Sequence, residues 1–356
     1  MKSKGKMLPI FLVGSPRSGT TLLSAILEVK FNIAVPMETH FVPYYSRLLW
    51  LWGDLSIRKN REKLVEELFV FLDIWTARNN PARSIDDYWG VSLLSLMEQK
   101  EEIVSAGETF GAMAGKMFDL FAQNRGCENW ADNSSFYDVE PIENWDKHFP
   151  NIHVIHLVRD GRDATISWLK SWFAPTNFSD TTMRWVEHVT EKKSWGDNNP
   201  DRYLEIYYED LIDDPLTIIA KIGSFINAVP NDSPINLQNS PYGRVLGVGG
   251  THDLLKEGDI KSSNKEKWLK EMPIGDQQFF EYMAGVALNQ FSYPLKFKGF
   301  NVFLRCFYSI KRFVFWFKRL FIKNFYLRKA KSALPVIIFV AIRLGFSPKL
   351  IIKLLR

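Results

Sequence analysis

Residues 9–23 read Pro9-Ile10-Phe11-Leu12-Val13-Gly14-Ser15-Pro16-Arg17-Ser18-Gly19-Thr20-Thr21-Leu22-Leu23. This run predicts a short buried strand, a loop bracketed by two glycines and the first turn of an amphipathic helix. Such a loop points several backbone N–H groups at one spot, where the positive end of the helix also favours an anion. We therefore expect a phosphate-like group to bind at this loop.

The two glycines have the spacing of the Walker loop G-x-x-x-x-G-K-[ST], which holds nucleoside triphosphates. In this chain Thr20 occupies the lysine position, and the cation lies inside the loop as Arg17. A Walker lysine reaches the β- and γ-phosphates of its ligand. The replacement of that lysine argues against a triphosphate ligand.

A second strand and helix carry another candidate phosphate site. The run Ile152–Val158 is rich in β-branched residues and predicts a strand, with a helix opening directly after it. Arg159 would lie at the carboxyl end of this strand and Ser167 about two turns into the helix. A forked guanidinium suits a phosphate. The alternative is a charged helix N-terminus, with Asp160 and Asp163 as its cap and first-turn residues.

The remaining pattern alternates strands with helices. A third strand is predicted at Tyr203-Leu204-Glu205-Ile206-Tyr207-Tyr208, followed by Asp213-Asp214-Pro215 and a further helix, and residues 41–125 are mostly helical in pattern. Alternation of this kind implies a parallel sheet covered on both faces. The predicted fold class is therefore α/β, a central parallel sheet flanked by helices with P-loop-like topology.

Together, the two motifs resemble those of sulfotransferases that use 3′-phosphoadenosine 5′-phosphosulfate (PAPS) as donor and release PAP. The pattern is most similar to tyrosylprotein, carbohydrate and bacterial members. The resemblance implies a sulfotransferase domain over residues 1–295, in which a helical insertion at about 41–125 covers the acceptor side. It also implies that no metal is required. The donor-binding residues that it implies are Ser15, Arg17, Ser18, Gly19, Thr20, Thr21, Arg159, Ser167, Tyr208, Lys261 and Ser262.

The last three residues of that set depend on weaker similarity. Tyr208 opens Tyr208-Glu209-Asp210-Leu211, which is similar to a family segment whose tyrosine lies near the nucleotide. Locally, Tyr208 could equally be a buried strand residue. Lys261 and Ser262 lie in a polar stretch before Lys267-Trp268, which resembles a segment that closes over the 3′-phosphate.

Transfer chemistry would need a base for the acceptor and stabilisation of the leaving phosphate. Arg17, helped by the loop amides, is the candidate for the leaving side. Glu38 is the candidate base: it follows Arg17 by 21 residues, at the end of the next extended stretch. The resemblance to tyrosylprotein-type members implies a catalytic glutamate there. His40 is a rival or supporting partner, and an exposed loop glutamate is the alternative interpretation of Glu38.

One residue departs from the family pattern. Many relatives carry an Asp-Lys-Thr-Pro-like segment where this chain has Asp132-Asn133-Ser134-Ser135. The lysine of that segment touches the transferring group, whereas Asn133 can donate a hydrogen bond but supplies no charge. Stabilisation of the transition state would then rest on Arg17 and another cation.

Composition limits where the chain works. Two widely separated cysteines, Cys127 and Cys306, suggest a reducing compartment without a disulfide framework. The apolar run after Lys2, Lys4 and Lys6 is short for a signal peptide and leads directly into the phosphate loop. We also find no stretch of the roughly 20 apolar residues that a membrane span requires. These features predict a cytoplasmic protein.

Charge is divided unevenly along the chain. Residues 296–356 hold 15 Lys or Arg and no Asp or Glu, whereas the other 295 residues hold 30 basic and 40 acidic side chains. The basic residues Lys311, Arg312, Lys318, Arg319 and Lys323 interleave with aromatics in the pattern of a helix lying in a membrane interface. We therefore predict that residues 296–356 form a basic amphipathic tail. Residues 297–356 of it would bind an anionic membrane surface, on the inner face.

Two alternatives to a membrane tail remain open. The tail could be a helical hairpin packed on the body with its cations merely solvated. Nucleic acid is a third possibility, but the acidic body makes it unattractive, and we expect no nucleic-acid partner.

The sequence thus predicts transfer of a sulfuryl group from PAPS to an acceptor hydroxyl or amine. The acceptor could be a carbohydrate, a lipid-linked glycan or a small alcohol. One alternative is a catalytically weakened, nucleotide-binding membrane adaptor, consistent with Asn133. The other is a P-loop kinase, against which the missing Walker lysine counts.

Overall fold

A computed structural model describes residues 8–36, 38–79, 97–133, 141–171, 177–237, 240, 264–297, 299–300, 302–325 and 333–355. Its centre is a five-stranded sheet in which every described pairing is parallel. The spatial order of the strands is β2-β3-β1-β4-β5. Their bounds are β1 Ile10–Val13, β2 Ile33–Ala34, β3 Asn129–Asp132, β4 His153–Val158 and β5 Tyr203–Tyr207.

Helices occupy most of the rest of the described chain. The bounds are α1 Thr20–Phe31, α2 Phe41–Tyr45, α3 Arg58–Asn79, α4 Lys100–Ser105, α5 Phe110–Asn124, α6 Ile142–Asp146, α7 Gly161–Leu169, α8 Phe178–Asn198, α9 Tyr208–Asp213, α10 Pro215–Ile226, α11 Trp268–Glu271, α12 Ile274–Gln290, α13 Val302–Phe325, α14 Ala333–Arg343 and α15 Pro348–Leu355. Short 3₁₀ turns lie at Leu49–Leu51 and Pro200–Arg202.

Burial explains why the central strands form a parallel sheet. All four residues of β1 are buried, as are five of the six in β4. Strands covered by helices on both faces read as continuous apolar runs of this kind. Phe11 of β1 packs against Trp130, Trp145 and Phe149, with ring centroids 5.4–6.1 Å apart. The predicted α/β class with a central parallel sheet is confirmed.

Strand β3, which lies between β1 and β2, is not among the strands predicted from the sequence. This strand has the sequence Asn129-Trp130-Ala131-Asp132, so only its two central residues are apolar. It is held by its neighbours, because Ile10 and Phe11 pair with Ala131 and Asp132, while Ile33 and Ala34 pair with Asn129 and Trp130. Such a strand carries too little local pattern to be found from sequence.

The described part of residues 41–125 is helical, as expected. It comprises α2, the 3₁₀ turn, α3, α4 and α5. The side chain of Thr109 caps α5 by accepting a hydrogen bond from the amide of Ala112 at 3.1 Å, which fixes where that helix begins.

The last two helices pack on the body. Leu334 and Ile338 of α14 and Ile351 of α15 are buried within the main core cluster, next to α3. An ion pair also joins Nη1 of Arg343 to Oε1 of the buried Glu67 of α3 at 2.6 Å. The packed arrangement that we set against a membrane tail is therefore what the structure shows for residues 333–355. A boundary at residue 295 stays a prediction.

Helix α13 contacts the body along one side. It lies against α12 and α8, and Tyr308 is buried between Phe279 and Met283. Among the described residues, none of the helices combines the length and the apolar character needed to cross a membrane.

Candidate active site

The parallel sheet brings the candidate residues to one edge. Because all strands run the same way, the segments that follow β1, β2, β3, β4 and β5 emerge together at their carboxyl ends. The loop of residues 14–19 follows β1, Glu38 and His40 follow β2, Arg159 and Ser167 follow β4, and Tyr208 follows β5. In open α/β sheets this edge is where ligands bind.

Both glycines of the first loop are needed for close approach. A Cβ on Gly14 would lie 2.6 Å from the carbonyl oxygen of Leu157, and a Cβ on Gly19 would lie 2.5 Å from the ring of Tyr208. Gly19 also has a φ of 101°, in the left-handed region that favours glycine. As the N-cap of α1, Gly19 cannot satisfy the first-turn N–H groups with a side chain, and an anion can accept from them.

Internal hydrogen bonds shape the same loop. The amide of Ser18 donates to the carbonyl of Ser15 at 3.1 Å, and the hydroxyls of these two serines lie 2.8 Å apart. Arg17, between them, has a φ of 68°. The tight turn therefore presents the Arg17 side chain away from the loop and toward α7.

The two phosphate motifs touch each other. Nε of Arg17 donates to Oγ of Ser167 at 3.0 Å, and Nη1 of Arg159 donates to the carbonyl of Arg17 at 3.0 Å. Burial lowers the pKa of Arg17, and the neighbouring Arg159 lowers it further. Two cations close enough for one to lower the pKa of the other favour an anion between them.

Arg159 is aimed into this site by three contacts. Besides the bond to Arg17, its Nη2 donates to the carbonyl of Asn264 at 2.8 Å, and its guanidinium stacks 4.3 Å above the ring of Tyr208. Its Nε is buried and has no hydrogen-bond partner among the described residues. A buried donor without a partner is costly. A phosphate oxygen would satisfy it, so these residues suit the phosphate site predicted at Arg159 and Ser167.

Tyr208 is buried, but it is not a strand residue. It begins α9, directly after β5, and its ring contacts both Gly19 and Arg159. Nδ2 of Asn264 donates to its hydroxyl oxygen at 2.7 Å. Burial raises the pKa of Tyr208, against the effect of Arg159. Tyr208 therefore lies beside Gly19 and Arg159, and its place near a nucleotide stays a prediction.

The alternative interpretation of the second motif holds for its other charged residues. The carboxylate of Asp160 accepts from the amide of Arg162 at 2.9 Å, as an N-cap does. Arg162 is buried, pairs with Glu281 at 2.8 Å and stacks 3.7 Å from Trp268. Asp160 and Arg162 therefore hold the helix in place, while Arg159 and Ser167 face the loop.

Glu38 and His40 lie in the segment after β2. Both have left-handed backbone conformations, with φ of 27° and 51°. The side chain of Glu38 is 29% exposed and that of His40 is 2% exposed, and Nε2 of His40 lies 3.8 Å from Oε2 of Glu38. Glu38 is close enough to Arg17 to raise its pKa, against the larger lowering effects of burial and Arg159. Of the two candidates, Glu38 is the one that a substrate can reach.

Trp75 of α3 supports this segment, and sequence reasoning missed it. Its Nε1 donates to the carbonyl of Glu38 at 3.0 Å, and its ring meets the ring of His40 edge-on at 5.0 Å. A tryptophan on an amphipathic helix gives no sequence signal of such a role, because core packing explains it equally well.

Asp132 and Asn133 mark the end of β3. Nδ2 of Asn133 donates to Oγ of Ser24 at 3.2 Å, and Ser24 in turn donates to the carbonyl of Thr20 at 2.9 Å. Asp132 accepts a hydrogen bond of 3.4 Å from Thr39, the residue between Glu38 and His40. Asn133 thus lies against the first turn of α1, and Asp132 lies against the segment of the candidate base.

Two of the predicted donor-binding residues, and the expected lack of a metal, complete the set of candidates. Lys261 and Ser262 lie outside the described residues; Asn264, which follows shortly after, contacts Arg159 and Tyr208. Within the described ranges no group of three or more His, Cys, Asp or Glu side chains could hold a metal ion.

Comparison with known proteins decides the family. A sequence profile described as "Sulfotransferase family" matches residues 9–229, which is more than half of the chain. The chain belongs to the sulfotransferase family. The match runs from the first loop through β4, α7 and β5, so it includes both phosphate motifs of this sulfotransferase.

Curated relatives carry the name protein-tyrosine sulfotransferase. This sulfotransferase is 21% identical over 286 residues to "Protein-tyrosine sulfotransferase 1" of Danio rerio, covering 77% of this chain and 69% of that protein. It is 24% identical over 277 residues to "Protein-tyrosine sulfotransferase" of Drosophila melanogaster, covering 74% of this chain but 47% of that protein. The chain thus spans between about half and about two thirds of the length of these relatives.

Solved structures show the same fold. The "Sulfotransferase Domain from the Synechococcus PCC 7002 Olefin Synthase" superposes with a TM-score of 0.56 at 18% identity, covering 83% of this chain and 98% of that chain. The "Sulfotransferase Domain from the Curacin Biosynthetic Pathway" gives 0.53 at 19% identity, covering 82% and 100%. The predicted sulfotransferase fold is confirmed, and the chain is an enzyme of this family.

Proposed function

We propose that this sulfotransferase moves a sulfuryl group from PAPS to an acceptor hydroxyl or amine. The observation that carries the proposal is the meeting of Arg17, Ser167 and Arg159 at the carboxyl edge of the sheet. One phosphate loop could belong to many nucleotide-binding proteins. Two phosphate motifs in direct contact, with a buried Nε of Arg159 in need of an acceptor, suit a ligand with separate 5′ and 3′ phosphate groups.

Each donor-binding residue then has a defined role. The loop hydroxyls, the N–H groups at the start of α1 and the hydroxyls of Thr20 and Thr21 would hold the 5′-phosphosulfate, with Arg17 neutralising its charge. Arg159 and Ser167 would hold the 3′-phosphate, and Tyr208 would support Arg159 from below its guanidinium plane. PAPS supplies the activated sulfuryl group, and these donor-binding residues would bind and orient it. Lys261 and Ser262 keep their proposed place at the 3′-phosphate.

Glu38 is the proposed general base. Its carboxylate is partly exposed at the same edge and close enough to Arg17 to affect its pKa. There it can accept the proton that the acceptor hydroxyl or amine loses as it is sulfated. His40, buried behind it, would restrict where that carboxylate points. We assign His40 a positioning role rather than direct contact with the acceptor.

Asn133 bears on how strong the catalysis is. Its amide lies against Ser24 in the first turns of α1, so it adds a neutral donor where many relatives carry a cation. Arg17 would then carry most of the stabilisation of the charge that develops on the leaving phosphate. The adaptor alternative, in which the fold binds the nucleotide without transfer, therefore needs a direct test.

Binding of PAP is the first test of this function. Because amides and arginines hold the phosphates, we expect PAP to raise the melting temperature of the protein without magnesium. ATP or GTP with magnesium should have little effect. A shift with ATP and magnesium but none with PAP would instead support the kinase alternative and contradict our proposal.

Transfer of sulfate is the second test, and it separates enzyme from adaptor. The protein would be incubated with PAPS and a metabolite and lipid extract, and new sulfate esters and sulfamates would be sought by mass spectrometry. The proposed acceptors are a carbohydrate, a lipid-linked glycan or a small alcohol. Tyrosine-containing peptides belong in the same assay because of the names of the curated relatives. PAP binding without transfer to any acceptor would favour the adaptor.

Location is a further part of the proposal. We propose that the chain works in the cytoplasm and contacts an anionic membrane surface within residues 297–356, outside the packed helices α14 and α15, without a nucleic-acid partner. Residues 296–356 hold 15 basic side chains and no acidic ones, which supports this contact.

Trp75 gives a prediction about how the base is held. Glu38 and His40 both occupy strained backbone conformations, and the bond from Trp75 to the Glu38 carbonyl helps to maintain them. Trp75→Phe keeps an aromatic ring, although a smaller one, and removes this bond. We expect kcat to fall about three- to tenfold, the range of one hydrogen bond, with PAP affinity unchanged.

Trp52→Phe is the matched control for that variant. It removes the bond of 2.9 Å from Nε1 of Trp52 to Oε2 of Glu67, away from Glu38. This control should lower the melting temperature without lowering kcat. If Trp75→Phe behaves in the same way, Trp75 is a packing residue and does not position the base.

A further inference from the structure

The outer face of α13 exposes an unusual amount of apolar surface. Six large side chains along it are between 49% and 87% exposed. They are Phe303, Phe307, Ile310, Phe313, Trp316 and Phe317. Several touch one another: the ring of Phe313 lies 6.1 Å from that of Phe317 and 6.4 Å from that of Trp316. A continuous exposed apolar face of this kind marks an interaction surface.

The opposite side of the same helix is already in use. Tyr308 is buried against Phe279, with ring centroids 5.3 Å apart, and Leu304 packs in the same small cluster. On the helix surface, residues three and four apart share a face, so Leu304, Tyr308 and Phe315 form one stripe toward α12, with Lys311 at its edge. The body therefore fixes the rotation of α13, and the six apolar side chains lie on other faces.

Cations border this apolar face. Arg305 and Arg312 are exposed and seven residues apart, which places them on one flank of the helix. On the other flank, Nζ of Lys311 lies 4.7 Å from the ring centre of Phe307 and 5.1 Å from that of Phe279. Side chains of this type lay their apolar stems along a surface and keep the charge at its polar boundary.

We propose that the outer face of α13 lies flat in the interface of an anionic lipid bilayer. The apolar side chains would enter the boundary between headgroups and acyl chains, while Arg305, Lys311 and Arg312 would meet lipid phosphates. Trp316 is of the residue type that prefers this depth. Residues 333–355 would stay on α3 and take no part. This inference rests on the proposed membrane contact and narrows it to one helix face.

The order of charged and apolar residues favours lipid over other partners. A nucleic acid would be bound by the cations but would leave six large apolar side chains in water. A protein partner able to cover this face would need an apolar groove flanked by acidic residues. A bilayer with anionic headgroups offers both features without a specific partner.

The experiment compares binding of the full chain to two kinds of vesicle. We expect it to float with vesicles of phosphatidylcholine and phosphatidylglycerol and to bind those of phosphatidylcholine alone more weakly. The double variant Phe313→Ser, Trp316→Ser should bind the anionic vesicles at least about tenfold more weakly. The double variant Arg305→Gln, Arg312→Gln should lose about fivefold per cation on the anionic vesicles and little on the neutral ones.

Leu216→Ser, Val229→Ser is the matched control. Both residues are large, apolar and exposed, and both lie outside α13. This control should bind vesicles like the parent chain, and every variant should keep its PAP-induced thermal shift. If it loses binding as the α13 variant does, the effect is general surface hydrophobicity and the proposal is overturned.

Three further results would overturn the proposal in distinguishable ways. If the parent chain binds anionic vesicles and Phe313→Ser, Trp316→Ser binds them equally well, this face is wrong but the membrane contact stands. If the parent chain binds no vesicle, both fail. Light scattering without lipid could show that the parent chain is a dimer and that the same double variant is a monomer. In that case the face joins two copies of the chain instead. The sulfuryl-transfer proposal survives in all three cases.

Discussion

The Glu38→Gln variant should turn over about 10²–10⁴-fold more slowly than the parent enzyme, with PAP affinity nearly unchanged. The substitution keeps the shape of the side chain and removes the carboxylate that would accept the acceptor's proton. Glu38 follows β2, whereas Arg159 and Ser167 follow β4, and Glu38 acts electrostatically on Arg17. We therefore expect the loss in kcat, measured with saturating PAPS, and little change in the PAP-induced thermal shift.

Two comparison variants make the Glu38 result specific. Glu38→Asp keeps the charge on a shorter side chain and should retain more activity than Glu38→Gln. Glu62→Gln makes the same chemical change on a carboxylate of α3 that pairs with Arg58 at 2.8 Å, and it should have no effect on kcat. Near-native turnover by Glu38→Gln would transfer the role to His40 or show that no base is used.

The fold was predictable where burial leaves a strong local pattern. β1 and β4 are continuous apolar or β-branched runs, and each is followed at once by a glycine-containing turn and a helix. β3 has two apolar residues and polar ends, so its place between β1 and β2 follows from pairing that no local pattern encodes. A strand made of a continuous apolar run can be predicted from its own sequence. A strand that is stabilised mainly by pairing with its neighbours cannot.

The site was predictable as separate motifs but not as an arrangement. The spacing of Arg159 and Ser167 predicted a phosphate grip, and the loop around Arg17 predicted another. The hydrogen bond from Nε of Arg17 to Ser167 joins residues 150 positions apart in the sequence. It depends on how β1 and β4 pair. The support of Glu38 by Trp75 was likewise invisible, since it depends on how α3 packs on the segment after β2.

The composition of residues 296–356 did not predict that this segment divides into two structurally different parts. Fifteen basic residues and many aromatics predicted one amphipathic segment over residues 296–356. The structure divides it, because α14 and α15 bury Leu334, Ile338 and Ile351 in the main core while α13 keeps its outer face exposed. The ion pair of Arg343 with Glu67 of α3 helps to decide this. The sequence of a short apolar helix is compatible both with packing on the protein body and with lying in a membrane interface. Only the contacts of the folded chain distinguish the two.

Three variants serve as comparisons for Arg159→Ala, two of them within the donor site and one outside it. Arg159→Lys keeps the charge but loses the fork, so it should recover part of the PAP affinity that Arg159→Ala loses. Ser167→Ala removes one hydroxyl and should cost less than either. Arg58→Ala removes an exposed arginine that pairs with Glu62 and Glu101, and it should leave PAP binding unchanged.

Arg159→Ala should weaken PAP binding by about 30- to 1000-fold, corresponding to the roughly 2–4 kcal/mol of a forked, partly buried phosphate contact. The melting temperature without PAP should change little. The variant loses the bonds to the carbonyls of Arg17 and Asn264, but it also removes the cation that lowers the pKa of Arg17. Calorimetric titration with PAP measures the first effect and thermal unfolding the second. Parent-like PAP affinity in a folded Arg159→Ala variant would show that the 3′-phosphate lies elsewhere. A large loss of stability without PAP would instead make Arg159 chiefly a structural residue.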